Sequence, residues 1–420
     1  MIRVKSFALA TAIALSLAGG AAVLSPAAAV AAEQSANKIT TKAVAVPMKE
    51  AQTAIQAKQW DKALAEIKKA QAVEKKTPFE AYQIDEFLAY VLIQQKKYSE
   101  ATAVYERMLN SGFVPESQRD ERTKTLATLA FQTKDYKRAL EWSKRSLERQ
   151  PNQTDMGQMV AQSYYLLEDY PNAATAMQKV IQQAERAGKV PEENWLQIVL
   201  SSHFKTQPQN KDGVAQALKQ IVRYYPNADY WENLLDIYRR KTNDDRVILG
   251  YYRLMDDVGA LKDQGDIVEM AQLAMDAGVP GEAEEVVERN IQNGVLKSDD
   301  KTEQGRYDRL LGGAKKQASA DKASLDQLAK EAEKASQGQA LVALGHAYLS
   351  YDRYDEAIAA LEKGIKKGGV TDMDEAQVLL GIAYMKKGQK DQARQAFRAV
   401  KDGSKWNELS SLWVIRTYHA

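Results

Sequence analysis

The feature that most restricts this chain is a repeated pair in which an aromatic residue is followed three positions later by alanine. It occurs as Trp60/Ala63, Tyr98/Ala101, Tyr136/Ala139, Tyr170/Ala173 and Tyr354/Ala357, and the first four alanines lie 38, 38 and 34 residues apart. Twelve positions before each alanine stands another small residue: Ala51, Ala89, Ala127, Ala161 and Gly345. A short polar turn precedes each aromatic, and apolar residues at helical spacing flank it, as with Leu88 and Leu92 before and Val104 and Met108 after. Each unit therefore predicts two antiparallel helices that cross closely at their small residues. One such pair cannot bury its apolar face alone, so the units must stack into a solenoid.

Composition and proline placement agree with an all-α chain. Ala, Gln, Lys, Glu and Leu dominate, and only 10 of 420 residues are proline. Proline inside a helix removes a hydrogen bond and clashes with the preceding turn. Pro78, Pro115, Pro151, Pro191 and Pro226 fall between units, Pro171, Pro208 and Pro280 fall in turns within them, and no proline is expected inside a helix. The chain has no cysteine, which excludes a disulfide framework, a thiolate nucleophile and a Cys-based metal site.

With the units in register, the residues resemble the tetratricopeptide repeat. Leu344-Gly345, Tyr348, Ala357 and Leu361 match one unit of that family, and Leu380-Gly381, Tyr384, Ala393 and Phe397 match the next. Leu126-Ala127, Ala139 and Pro151 match a third, while Trp195 and Trp231 occupy the family's first-helix tryptophan position. The anchors place unit starts near Tyr82, Asp120, Thr154, Glu192, Ala228, Gln264, Gly338 and Asp374, with a weaker one near Val44. The resemblance implies a right-handed α-solenoid of about nine to ten helix pairs, spanning 44–300 and 338–403. Residues 301–337 lack the signature and are expected as a degenerate helical pair. Trp406, Leu409 and Trp413 share one stripe of 404–420, which predicts a capping helix with a wet opposite face.

The N-terminal region has the layout of a secretory signal peptide. Arg3 and Lys5 precede an uncharged stretch from Phe7 to Leu24, and small residues lead to Ala32 before the first acid, Glu33. Residues 1–32 are expected to be removed, leaving 33–43 as a flexible leader and a protein exported to a bacterial periplasm. Removal of Arg3 and Lys5 from 58 basic residues leaves 56, which balance the 56 acidic ones. With charges interspersed, nucleic acid is not an expected partner, and no second apolar run is long enough to hold the mature chain in a membrane.

No catalytic template is present. There is no H-E-x-x-H, Walker A loop, dinucleotide glycine fingerprint or nucleophile elbow. Gly312-Gly313 reads as a loose helix start or turn, and His203, His346 and His419 read as helix-surface or groove residues. Acidic pairs such as Asp244-Asp245, Asp256-Asp257 and Asp299-Asp300 are expected to cap helices. No cofactor and no metal are expected.

The family resemblance implies a concave surface formed by the first helix of each pair. That face would carry Tyr90, Lys124, Phe131, Gln158, Gln162, Tyr165, His203, Glu232, Asp236 and Arg239, a mixture suited to extended peptide. The family's carboxylate clamp needs an Asn where Thr128 stands beside Lys124, so that specificity is not supported. The expectation is a non-catalytic scaffold holding envelope proteins. A structural part in an envelope assembly or polysaccharide export complex is the alternative, and an enzyme with its site in 301–336 is a third reading.

Overall fold

The computed structural model describes residues 38–419, so the expected signal peptide lies outside the described residues. Twenty helices and no strand make up the described residues. They fall into two compact units that divide at Val214/Ala215.

The first unit contains α1 (Lys42–Gln56), α2 (Trp60–Gln71), α3 (Pro78–Gln94), α4 (Tyr98–Asn110), α5 (Glu116–Gln132), α6 (Tyr136–Arg149), α7 (Thr154–Leu166), α8 (Tyr170–Arg186) and α9 (Glu193–Lys205). The division between units lies inside α10 (Lys211–Tyr224). The second unit continues with α11 (Ala228–Arg239), α12 (Asp245–Asp257), α13 (Gln264–Asp276), α14 (Pro280–Gln292) and α15 (Lys301–Lys334). It ends with α16 (Gln339–Leu349), α17 (Tyr354–Lys367), α18 (Met373–Lys386), α19 (Lys390–Arg398) and α20 (Asn407–Arg416). Helix starts lie within a few residues of the unit starts read from the sequence.

The repeat is written in the backbone as well as in the side chains. Two residues before each recurring aromatic, Lys58, Lys96, Lys134, Glu168 and Asp352 have φ between 55 and 62°. Each ends the first helix of its pair, and the next amide reaches back to close the turn, as in Lys97 N to Leu92 O at 2.8 Å and Asp135 N to Ala130 O at 2.9 Å. This is the left-handed helix stop that glycine usually provides. The small residues sit where expected: Ala51, Ala63, Ala127, Ala139, Ala161, Ala173 and Ala357 are fully buried. A Cβ on Gly345 would lie 2.6 Å from Leu361 and 3.1 Å from the Ala357 carbonyl, so α16 and α17 approach as closely as they do because position 345 is glycine.

Four expectations need correction. Residues 301–334 form one uninterrupted helix, and Gly312-Gly313 lies within it. Tyr307, Ala314, Ala318, Leu325 and Ala332 form its buried stripe at helical spacing, so no turn interrupts the period. Pro47 lies inside α1. The end of the leader is pinned, because the Thr40 and Thr41 amides donate to Glu80 Oε1 at 2.9 and 2.8 Å. The C-terminal helix buries its apolar stripe as expected and leaves Glu408 exposed, but the rest of its polar side is only half-buried and is engaged within the unit. Trp413 is fully buried and stacked on Phe397 at 5.5 Å, while polar Ser411 and Arg416 bond Lys219 and Asp257.

Candidate functional site

In the first unit, first helices of consecutive pairs touch one another (α1 with α3, α5 with α7, α7 with α9) in addition to their own partners. They form one layer, and polar groups link its steps. Between α3 and α5, the Arg122 guanidinium donates to Glu86, which also accepts from the Tyr82 hydroxyl at 2.7 Å. This pair is nearly excluded from solvent, so losing either partner would strand a buried charge. Between α5 and α7, the Lys124 ammonium lies 3.9 Å from Asp155. Between α7 and α9, the Tyr165 hydroxyl and Ser201 share a 2.7 Å hydrogen bond.

Of the ten expected groove residues, seven lie in this unit and behave differently. Tyr90 is half-buried with its ring edge-on to Trp60 at 6.1 Å. Gln158 and Gln162 are half-buried one turn apart on α7, with no hydrogen bond to another described residue from either amide. His203 is half-buried beside Asn210, 3.2 Å from its Nδ1, and burial lowers its pKa.

Phe131 and Tyr165 correct the expectation of a groove floor, being only 5% and 9% exposed. Each closes the end of its first helix and packs edge-on against the aromatic that opens the second: Phe131 on Tyr136 at 5.4 Å, Tyr165 on Tyr170 at 5.5 Å. Their spacing of five residues across a tight turn makes them corner staples.

The other three expected residues, Glu232, Asp236 and Arg239, belong to α11 in the second unit. There Arg239 donates to Asp236 at 2.7 Å and to Asp266 at 3.2 Å, and lies over the Tyr252 ring. These are internal contacts of the fold.

The second unit has its own polar centre, which the sequence did not reveal. Beyond its neighbour α13, helix α12 carries side chains to four later helices. Arg246 reaches Glu375 on α18 at 2.9 Å, and Arg253 makes a bidentate pair with Glu282 on α14 at 2.8 and 2.6 Å. Arg253 also donates to His346 Nε2 on α16 at 2.7 Å. Asp257 accepts from Arg416 on α20 at 2.8 Å, and a Cβ on Gly250 would meet Leu409 of α20 at 2.4 Å. Asp256 accepts from Arg289 at 2.5 Å. Asp256 and Asp257 therefore end a helix rather than cap its start. Carboxylates there oppose the helix dipole, and the two arginines offset that penalty.

These side chains line a partly open cavity of about 140 Å³, with Arg253, Asp256, Glu282, Glu285, His346 and Lys386 among its walls. His346 is half-buried at the wall of this cavity rather than free on a helix surface. Burial first, then the Arg253 and Arg246 charges, hold its pKa well below the ordinary value. Its Nε2 is occupied as the acceptor of the Arg253 bond, which leaves that nitrogen unable to take a substrate proton. Burial and the nearby Asp352 raise the Glu285 pKa, and Arg289 opposes them. The arginine forks and carboxylates are consumed by one another. No group of three or more candidate metal ligands occurs among the described residues.

An all-α stack of helix pairs with left-handed turn stops and small-residue crossings defines a helical-repeat protein. A sequence profile of the tetratricopeptide repeat matches residues 48–117 and 342–405, one stretch in each unit. A second profile, described as anaphase-promoting complex, cyclosome, subunit 3, matches 94–180. The chain is a tetratricopeptide-repeat protein. Similar solved structures include a tetratricopeptide repeat protein from Parabacteroides merdae, 12% identical, with 89% of this chain and 99% of that chain covered at a TM-score of 0.31. MamA (41-end) from Desulfovibrio magneticus RS-1 is 16% identical over 49% of this chain and 99% of its own, with a TM-score of 0.29. The structure of Naa15/Naa10 bound to HypK-THB gives 13% identity, 87% and 59% coverage and a TM-score of 0.40. No curated protein matches the chain.

Proposed function

We propose that this protein is a non-catalytic interaction scaffold of the bacterial periplasm, and that the first-helix layer of residues 38–214 holds an extended segment of a partner from the cell envelope. One observation carries the reading: the half-buried amides of Gln158 and Gln162 on α7 have no hydrogen bond to another described residue. Two solvent-accessible amides in line along a helix offer donors and acceptors to a partner's main chain. In the second unit, by contrast, the inward charges are used up in internal pairs, and the His346 imidazole is locked by Arg253. That arrangement suits a rigid support better than a site of turnover. The export assignment rests on the basic start, apolar stretch and small residues of 1–32.

A photo-activatable amino acid placed at Gln158 or Gln162 should crosslink to a discrete envelope protein in living cells, whereas one at exposed Lys179 should not. Equal labelling from all three positions would sink the assignment of the layer. Intact-mass measurement of the fractionated protein should show a chain beginning at Glu33. Retention of the Phe7–Leu24 segment would remove the periplasmic reading.

A further inference from the structure

The corners where first helices turn into second helices form a rim of the first unit that the scaffold reading above leaves unused. At this rim the turns before α2, α4 and α6, with the first turns of α2 and α6, carry Lys58, Lys62, Lys96, Lys97, Lys134 and Lys137. None of the six makes an ion pair, although most arginines of the same unit do. The nearby acids are differently placed: Asp61 accepts from the Gln95 amide at 2.8 Å, and Asp135 caps α6 through the Arg138 amide at 3.1 Å. Two of these corners share an open cleft of about 690 Å³, lined by Lys58, Gln59, Trp60, Asp61, Lys62, Gln95 and Lys97. Its apolar wall is the half-buried Trp60, backed edge-on by Tyr90. The other five tryptophans are at most 6% exposed, so Trp60 alone among them meets solvent appreciably.

We propose that this cleft is a second docking site, and that its occupant is an acidic, aromatic-bearing segment of a partner protein. The proposal rests on the scaffold reading but uses a different surface. Three unpaired lysines in one cleft complement several carboxylates, and the indole wall takes an apolar side chain between them. The N-termini of α2 and α4 open onto the same corners, and neither N-cap residue, Gln59 or Lys97, supplies a capping bond. Their partial positive charge adds to that of the lysines. A flat anionic membrane or a nucleic-acid duplex fits less well. Such surfaces reward an unbroken basic face with many phosphate contacts, and Asp61, Glu100 and Asp135 interrupt this one.

The test uses the full mature chain and a fluorescein-labelled, C-terminally amidated peptide of Glu, Asp and Phe. Binding is followed by anisotropy and by protection of Trp60 from acrylamide quenching. The peptide should bind, protect the indole and weaken as salt is raised. The quadruple variant K58E/K62E/K96E/K97E should lose roughly tenfold or more in affinity, because four exposed attractions become repulsions. All four side chains are exposed, so its helical circular dichroism should match the parent. The Q158A/Q162A variant should bind the peptide unchanged. Absence of binding, equal binding by the quadruple variant, or equally strong binding to phosphatidylserine vesicles or duplex DNA would overturn the proposal. If the peptide fails these criteria while the parent still crosslinks its envelope partner from Gln162, only the rim site fails and the scaffold reading stands. If the peptide binds but those crosslinks are missing from the parent, the rim stands and the first-helix layer fails.

Discussion

Glu80 holds the N-terminal helix in place, and neutralising it should release that helix. The side chain is fully buried at the start of α3. Its Oε1 accepts from the Thr40 and Thr41 amides at 2.9 and 2.8 Å, and its Oε2 from the Thr41 hydroxyl at 2.9 Å and the Thr77 amide at 2.8 Å. The Glu80 amide returns a bond to the Thr77 hydroxyl at 3.1 Å, completing a capping box. Burial by itself would raise the carboxyl pKa, but the amides of Thr41, Thr77 and Thr40 and the Thr41 hydroxyl outweigh it and bring it from 4.5 to about 2. A depression of that size corresponds to about 3 kcal/mol favouring the folded, ionised form. Glu80→Gln keeps the shape but replaces one acceptor with a donor facing donors, so it should cost about 2–3 kcal/mol. Because repeats open locally, the loss should appear first at α1. Amide exchange across Lys42–Gln56 at neutral pH should lose roughly two decades of protection, with the second unit unaffected. The sign with pH is fixed: the folded pKa lies below the unfolded one, so the contribution is whole above about 4.5 and fades as pH falls towards 2. The difference between parent and variant should shrink over that window. Identical α1 protection at neutral pH, or a difference that does not change down to pH ~3, would refute the argument.

Two further kinds of substitution test the repeat itself. Lys134 and Glu168 both stand at φ 62° in exposed turns, so K134G and E168G should each stabilise the chain by about 0.5–1 kcal/mol, read as a raised urea midpoint. Unchanged or lowered midpoints would mean the lysine and glutamate side chains contribute something there that no contact accounts for. Ala139→Leu and Ala357→Leu should each cost roughly 1–3 kcal/mol by overpacking a helix crossing, whereas Ala359→Leu, exposed on α17, should be close to neutral. Equal midpoints for all three would show that the crossings have room to spare.

What could be read from sequence was the local geometry. Helix pairs, their register and their small-residue crossings follow from spacings within one unit, and Ala139 or Ala357 needs only its neighbours to declare itself. Phe131 and Tyr165 misled because position along a first helix does not reveal that the final turn bends over the following corner. An aromatic five residues before another, with a turn between them, is the signal that separates such staples from a groove floor. The single 301–334 helix was misread as a pair, although the stripe from Tyr307 to Ala332 keeps one helical period across Gly312-Gly313. The His346 environment was not legible. It depends on Arg253, 93 residues away, and on the return of α20 to α12, and periodicity carries no information about contacts at that distance.

That return also governs how the second unit can come into being. Lys219 meets Ser411 across 192 residues, Asp257 meets Arg416 across 159, and Arg246 meets Glu375 across 129. Pairs of helices in the first unit can settle one after another, because the contacts they need are close in sequence. Helix α12 must wait. Until its distant partners come in, it exposes the carboxylates of Asp256 and Asp257 and the gap at Gly250, and the closing of such long loops is slow. During that interval the half-made unit is the part of the chain most open to proteases and holding chaperones. Its vulnerability ends only when Asn407–Arg416 lies down against α12.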